Sequence, residues 1–212
     1  MVPVATLACL LAACGGKTAS KTAAFLPAPV TSTVGEQTQP VVHMLDLFAA
    51  LWKYDRSGRN RAEQKISFEI PEAEVNDYLA YALKAAPRPG VESVAVKLLP
   101  HSEVLVTAVI DLDAVAGWNP DLAPVLRRRM LSGKRAEIHF DVQFETHDGI
   151  LNFTLKDANG PEQKAIPKKV AETIIGSLAS RQPERYDTAR PMQLPFGLQR
   201  VWTDRQLLCG ET

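Results

Sequence analysis

The stretch AEIHFDVQFETHDGILNFTL (residues 136–155) decides the fold, because apolar and polar side chains alternate on both sides of a turn. Successive side chains of a β-strand point to opposite faces, so the alternation predicts two strands with one apolar face each. His147-Asp148-Gly149 has the residue types that tight hairpin turns favour. An antiparallel hairpin with one wet face is therefore predicted. Its apolar face consists of Ile138, Phe140, Val142, Phe144, Leu151, Phe153 and Leu155.

Three amphipathic helices are predicted around this hairpin from apolar residues at helical spacing. One starts near Val41. The others start at Pro71 and Pro167, because the N–H that proline lacks would be unsatisfied in the first turn anyway. The first apolar stripe is Met44, Leu45, Phe48, Leu51 and Trp52. The second is Val75, Tyr78, Leu79, Ala82 and Leu83, and the third is Val170, Ala171, Ile174, Ile175 and Leu178.

Further strands are predicted on both sides of these helices, and residues 114–134 are expected to be irregular with a short helix up to Met130. In strand 103–112, Leu105 and Val109 add apolar side chains to the second face, so this strand is expected to be covered on both faces. The fold class predicted is α+β, a curved antiparallel sheet with helices packed on one face. The other strands are 66–70, 91–99, 199–203 and 206–209.

Length and charge restrict the class of protein. The chain has 212 residues, which suits one domain, here residues 41–212, behind a leader and a linker. Residues 15–40 are rich in Pro, Thr, Ser, Ala and Gln and are read as a flexible linker. With 24 basic and 24 acidic side chains the chain lacks the positive surplus of a nucleic-acid-binding protein, so no nucleic-acid partner is expected.

The first residues indicate export. Residues 1–14 are about as long as the apolar part of a secretory signal, and Leu11-Ala12-Ala13-Cys14 looks like a lipobox, which marks a cysteine for lipid attachment. Cys14 is therefore the predicted lipid attachment site, and a membrane-anchored protein on the extracytoplasmic or periplasmic side of a bacterial cell envelope is expected. No Lys or Arg lies near Met1, which suggests a start upstream of this one. A plain cleaved signal or a frayed terminus is the alternative.

The remaining cysteine and the polar residues give little sign of catalysis. Cys9 would leave with the leader, so no intrachain disulfide is expected, and Cys209 in an apolar terminal strand is expected to be a buried, inert thiol. No nucleotide-binding, zinc-protease or serine-hydrolase motif is present in the sequence. No catalytic residue, metal or cofactor is predicted.

Two pairs of polar residues were weighed against that conclusion. His139 and His147 could meet across a hairpin edge, but the sequence offers no third metal ligand. Asp111 and Asp113 would face the same side of a strand, as an acid and a base do in glycosidases. Aspartates at the end of a strand more often cap and turn the chain, which is the preferred interpretation.

The strongest cluster of charge is the run Arg127, Arg128 and Arg129. Such a run could hold a phospholipid headgroup or an anionic membrane surface, where each contact contributes roughly 1 kcal/mol. The simpler interpretation is a solvated helix end, where arginines interact favourably with the helix dipole.

Several short segments, taken in order, resemble the LmeA-type phospholipid-binding envelope proteins. The first is Ile70-Pro-Glu-Ala-Glu-Val-Asn-Asp-Tyr-Leu79, similar to a helix of the kind s-E-x-x-l-N-x-x-L. The strands from Val91, the hairpin at Asp148-Gly149 and the helix start at Ile166-Pro167 follow. Leu194-Pro-Phe-Gly-Leu-Gln-Arg-Val201 is similar to the family's closing L-P-x-G-[IL]-x-x-V segment. The resemblance covers roughly residues 65–209 and implies a fold related to the tubular lipid-binding domains.

What the resemblance implies about function is binding or transfer of phospholipid or another acyl lipid in an apolar pocket between helices and sheet. The alternative is a non-catalytic structural or assembly lipoprotein that binds a protein partner. The residues proposed to line the pocket are Val75, Leu79, Leu83, Phe140, Phe144, Phe153, Ile174, Leu178 and Phe196.

Overall fold

The computed structural model describes residues 39–57, 65–128, 131, 135–182 and 190–212. The predicted signal, Cys14 and nearly all of the predicted linker lie outside the described residues, as does Arg129. The helices are α1 (Gln39–Arg56), α2 (Glu72–Ala85), α3 (Leu112–Trp118), α4 (Ala123–Arg128) and α5 (Lys168–Ser180). The strands are β1 (Ser67–Pro71), β2 (Val91–Leu99), β3 (Glu103–Ile110), β4 (Ala136–His147), β5 (Ile150–Asn159), β6 (Met192–Gln193), β7 (Arg200–Asp204) and β8 (Leu207–Glu211).

The larger sheet is antiparallel and has the order β2-β3-β4-β5-β6. Its two long hairpins turn at residues 100–102 and at Asp148-Gly149. The second is a two-residue turn in which both residues have positive φ, as the preferred turns of this length require, and in the three-residue loop His101 and Ser102 have positive φ. The predicted β4–β5 hairpin is confirmed, with His147 paired to Ile150, and β5 continues to Asn159, four residues beyond the predicted strand. The α+β fold class is also confirmed, and the sheet curls around the core.

A smaller antiparallel sheet, of order β1-β8-β7, joins the first described strand to the end of the chain. Side chains fasten it to the hairpins of the larger sheet. The Thr203 hydroxyl donates to the carbonyl of Leu99 at 2.6 Å, and the Thr146 hydroxyl donates to the carbonyl of Val201 at 2.7 Å. Because these bonds cross between the sheets, both sheets enclose one core.

The helices cover one face of the larger sheet. α2 packs on β2, α5 packs on β5, and α1 lies over α2. The residues that face inward from the strands and helices form a single buried hydrophobic cluster, which extends from Met44 to Leu208. Phe48 of α1 stacks on Phe196 at a centroid distance of 6.3 Å, so α1 is part of the core and not an appendage.

The opposite face of the larger sheet is open to solvent, and the prediction that both faces of β3 are covered is wrong. Leu105 is 37% exposed and Val109 is partly exposed, whereas Val104 and Val106 on the other face are buried. Two-layer packing explains the difference, because the buried residues of β3 and β4 alternate along each strand and so lie on one face of the sheet only. Leu105 is an apolar residue on a wet face, which is common on protein surfaces.

The segment after β3 is more ordered than predicted. Strand β3 ends at Ile110, two residues earlier than expected, and α3 and α4 follow where an irregular stretch with one short helix was predicted. Leu112, Val115 and Leu126 from these helices are buried and extend the core beyond the sheet.

Candidate functional site

All nine residues predicted to line a lipid pocket belong to the core or pack against it. Leu83 and Phe153 are partly exposed. The other seven are at most 3% exposed: Val75, Leu79, Phe140, Phe144, Ile174, Leu178 and Phe196. A side chain that borders a void large enough for water has accessible surface there, whether or not the void opens to solvent. These seven side chains therefore border almost no water-sized space.

Two polar residues of α2 hold the outer edge of β2, a role that sequence reasoning missed. The Asn76 side chain donates from Nδ2 to the carbonyl of Val96 at 2.9 Å and accepts from the N–H of Val96 at 2.7 Å. The Glu72 carboxylate accepts from the N–H of Leu98 at 2.6 Å. The helix thus supplies the hydrogen bonds that another strand would supply at an edge.

The same motif places two apolar residues into the core. Val75 and Leu79 alternate in sequence with Glu72 and Asn76 and are completely buried. A clue was present in the sequence, since Glu and Asn sit beside the apolar stripe of a helix at i and i+4. Their hydrogen-bond partners lie 20 and 26 residues away on β2, which no local pattern identifies.

A surface groove of about 800 Å³ lies between α4 and the turn that follows β5. Pro124 and Val125 give it apolar walls, while Leu131, which is only 3% exposed, adds little accessible surface. Arg128 and Lys164 bring positive charge, and Asp121 and Ala165 are the other described residues of the lining. Lys164 is paired with Glu162 at 2.8 Å, and this hydrogen bond lowers the pKa of the Glu162 carboxyl. Arg128 is thus the groove's principal cation among the described residues.

The three arginines of the predicted run have different positions relative to this groove. Arg127 and Arg128 are exposed in the last turn of α4, and of these two only Arg128 lines the groove. Arg129 lies outside the described residues. Arg127 and Arg128 thus form a matched pair for experiment. They have the same charge, lie in the same helix and are both exposed, but only Arg128 lines the groove.

A second depression, of about 510 Å³, lies between α3 and α5. Its lining is mostly small and polar, and Asn119 donates from Nδ2 to the Ser177 hydroxyl at 3.3 Å. The Arg181 guanidinium lies 5.7 Å from the centroid of the Trp118 ring, within cation–π range. These contacts join the two helices.

Asp111 and Asp113 do not form a strand pair. Asp111 follows the end of β3 and caps α3, where its Oδ1 accepts from the N–H of Ala114 at 2.8 Å. Asp113 lies in the first turn of α3, where the helix dipole favours a negative charge. The strand geometry that a glycosidase-like pair would need is therefore not the one observed, and the capping interpretation describes Asp111.

The outer face of the larger sheet holds a group of carboxylates. Asp141 lies opposite Asp157 on β5 and near the carboxylate of Glu103 on β3. Partial burial and the nearby Glu103 charge raise the pKa of the Asp141 carboxyl, although Lys156 opposes the effect. The Oδ1 atom of Asp141 is enclosed and has no hydrogen-bond partner among the described residues.

The histidines that were weighed as metal ligands are far apart. His139 and His147 lie eight positions apart on the same strand, β4, which is about 26 Å at 3.3 Å per residue. His139 contacts Thr107 at 3.0 Å and Glu137 at 3.1 Å. Within the described part of the chain, no group of three or more His, Cys, Asp or Glu side chains is placed to hold a metal ion.

Cys209 is buried, as predicted, and its thiol is free. Burial raises the pKa of its thiol, and the carboxylates of Glu69 and Asp204 add to the effect. A thiol with a raised pKa has little thiolate at neutral pH and reacts slowly.

Among the described residues, no helix has the length and apolar character needed to cross a bilayer.

Comparisons with protein-family models, with curated proteins and with solved structures found no match to this chain. The resemblance to LmeA-type proteins, which rests on the short segments quoted above, stays a prediction.

Proposed function

We propose that this chain is a lipid-anchored envelope protein without enzymatic activity that binds or transfers phospholipid. The observation that carries the proposal is the groove between α4 and the turn after β5, where the exposed Arg128 lies beside the apolar side chains Pro124 and Val125. A volume of about 800 Å³ is within the range that small-molecule sites occupy.

The chemistry of the groove suits a phospholipid headgroup. A guanidinium offers two parallel N–H donors to phosphate oxygens, which makes arginine a stronger partner for phosphate than a neutral donor. Asp121 offers a carboxylate for the amine of a zwitterionic headgroup. The apolar walls cover the first methylenes of an acyl chain, each worth about 0.8 kcal/mol when fully buried.

The predicted interior lining has a separate part in this proposal. Its seven inaccessible residues fill the core, so acyl chains reach them only if a helix moves away from the sheet. We propose that the groove binds the headgroup in the observed conformation. Entry of acyl chains between α5 and the larger sheet would be a second step, and it would expose Ile174 and Leu178.

The test compares Arg128→Gln with Arg127→Gln in the binding of a short-chain phospholipid, measured by isothermal titration calorimetry below its micelle concentration. Loss of one charge-assisted hydrogen bond is worth roughly 1.5 kcal/mol, so Arg128→Gln is expected to weaken binding about tenfold. Arg127→Gln should leave the affinity within about twofold, because Arg127 does not line the groove. Equal losses in both variants would contradict a groove site.

The second candidate is an assembly module that binds a protein partner, and two observations favour it. The seven core residues border almost no water-sized space, and the outer face of the larger sheet presents carboxylates together with the exposed Leu105. Organic extraction of natively purified protein followed by mass spectrometry distinguishes the two functions. Lipid near one molecule per chain supports the carrier, and a blank supports the assembly module.

A further inference from the structure

Helix α1 carries apolar side chains on two sides. Its inner side is buried in the core by Met44, Phe48 and Leu51. At 100° per residue, six further residues share one outward band about 100° wide. This band, the α1 outer stripe, consists of Val42, Leu45, Ala49, Trp52, Lys53 and Arg56. A solvent-facing helix normally presents polar residues there, so the composition of the stripe calls for a partner surface.

The exposed part of the stripe is substantial. Val42 and Trp52 are each 37% exposed, and they are two of the four exposed large hydrophobic residues among those described. The other two, Leu105 and Ile150, belong to the larger sheet and lie on different strands. Val42 and Trp52 are thus the two of these four residues that share one helix.

Charge and aromatic character indicate which surface the stripe fits. The Arg56 guanidinium lies 4.1 Å from the centroid of the Trp52 ring, and Lys53 is the other cation in the last turn of α1. Tryptophan is enriched where a bilayer meets water, because its ring is apolar and its N–H is polar. Long basic side chains reach from such a depth to the lipid phosphates. One helix end thus combines the residue types that bind an anionic membrane surface.

From this arrangement we infer that the α1 outer stripe docks on the surface of an anionic lipid membrane. The inference extends the proposed function, since an anchor at Cys14 would hold the protein near a bilayer. Twenty-five positions separate Cys14 from Gln39, the first residue of α1. At most about 90 Å of extended chain joins them, so α1 is the described element with the shortest tether to the anchor.

The experiment uses the full chain with Cys14→Ser, so that no acyl chain can attach and docking is measured apart from anchoring. The protein is sedimented with vesicles of phosphatidylethanolamine that contain one quarter phosphatidylglycerol, and with vesicles of phosphatidylcholine alone. We expect Val42→Ser with Trp52→Ser to lower the partition coefficient for the anionic vesicles about tenfold, since the exposed apolar area is lost.

A matched control removes the same kind of surface elsewhere. Leu105→Ser with Ile150→Ser changes two residues of nearly equal exposure, 37% and 38%, and should leave partitioning unchanged. Lys53→Gln with Arg56→Gln should remove most of the preference for anionic over phosphatidylcholine vesicles, because each cation near such a surface contributes to binding.

Several results would overturn the inference. Equal losses from both serine pairs would mean that any exposed apolar residue serves, and absence of vesicle binding by the parent protein would exclude docking. A dimer in light scattering that Val42→Ser with Trp52→Ser dissolves would show that a second copy covers the stripe. These outcomes are separate from the headgroup test, because Arg128→Gln affects short-chain lipid while the stripe variants should not.

Discussion

The side-chain amide of Asn76 takes the place of a neighbouring strand at the edge of β2. It both donates to and accepts from Val96, which is the pair of hydrogen bonds that a neighbouring strand would make. A carboxylate satisfies the N–H alone, as Glu72 does at Leu98, whereas the amide of Asn76 satisfies the N–H and the carbonyl of Val96 together. The two hydrogen bonds to Val96 therefore give a physical reason for an asparagine at position 76.

Asn76→Ala is expected to lower the free energy of unfolding by about 2–3 kcal/mol. The change removes two hydrogen bonds and leaves two partly buried backbone groups of Val96 without their partner. Urea denaturation followed by circular dichroism measures the effect. Asp77→Ala, on the exposed side of the same helix, should change the free energy by less than about 0.5 kcal/mol. Equal effects would show that the edge bonds add no stability.

At the level of helices and strands, the sequence predicted those elements whose apolar residues recur with the period of a strand or a helix. β4 and β5 were found from residues 136–155, and α5 was placed within one residue of its start at Lys168. The outer face of β3 was predicted wrongly, because Leu105 and Val109 reveal apolar character but not whether a second layer exists. The number of layers depends on distant helices, which no window of a strand contains.

The carboxylates on the outer face of the larger sheet make its stability depend on pH. Burial and the Glu103 charge raise the pKa of Asp141 in the folded protein above its ordinary value of 3.8. The stabilising effect of protonated Asp141 is therefore fully present below pH 3.8 and is lost as the pH rises through the folded pKa. Above the folded pKa, Asp141 is charged beside Glu103, and this repulsion destabilises the fold.

Asp141→Asn should accordingly raise the free energy of unfolding at pH 7, and the gain should shrink as the pH falls toward the ordinary pKa of an aspartate. An asparagine removes the repulsion and can donate a hydrogen bond to Glu103. Urea denaturation at several pH values measures the difference between variant and parent. Glu145→Gln removes an exposed charge from the same strand and should give no comparable gain. A lower stability of Asp141→Asn at pH 7 would contradict the assignment.

For the molecule as a whole, the small sheet connects the first described strand to the last residues of the chain. The Thr212 N–H donates to the Ile66 carbonyl at 3.0 Å, and the Thr212 hydroxyl accepts from the Ile66 N–H at 2.9 Å. β8 lies between β1 and β7, and Cys209 pairs with Glu69 on one side and with Trp202 on the other. Opening β8 therefore disrupts contacts more than 100 positions apart in sequence, so we expect it to open only when the whole fold opens.

The reactivity of the Cys209 thiol measures the opening of β8, because this side chain is only 4% exposed in the folded protein. With Cys9→Ser and Cys14→Ser, modification of Cys209 by a thiol reagent should be slow and should accelerate with urea. The free energy from labelling should agree with that from global unfolding within about 0.5 kcal/mol, because exposure of the thiol requires both neighbouring strands to separate. Ser67→Cys in a Cys209→Ser background, exposed on β1, should react at once. Rapid labelling of Cys209 that does not depend on urea would mean that β8 opens by itself, and the two sheets would then not form one cooperative unit.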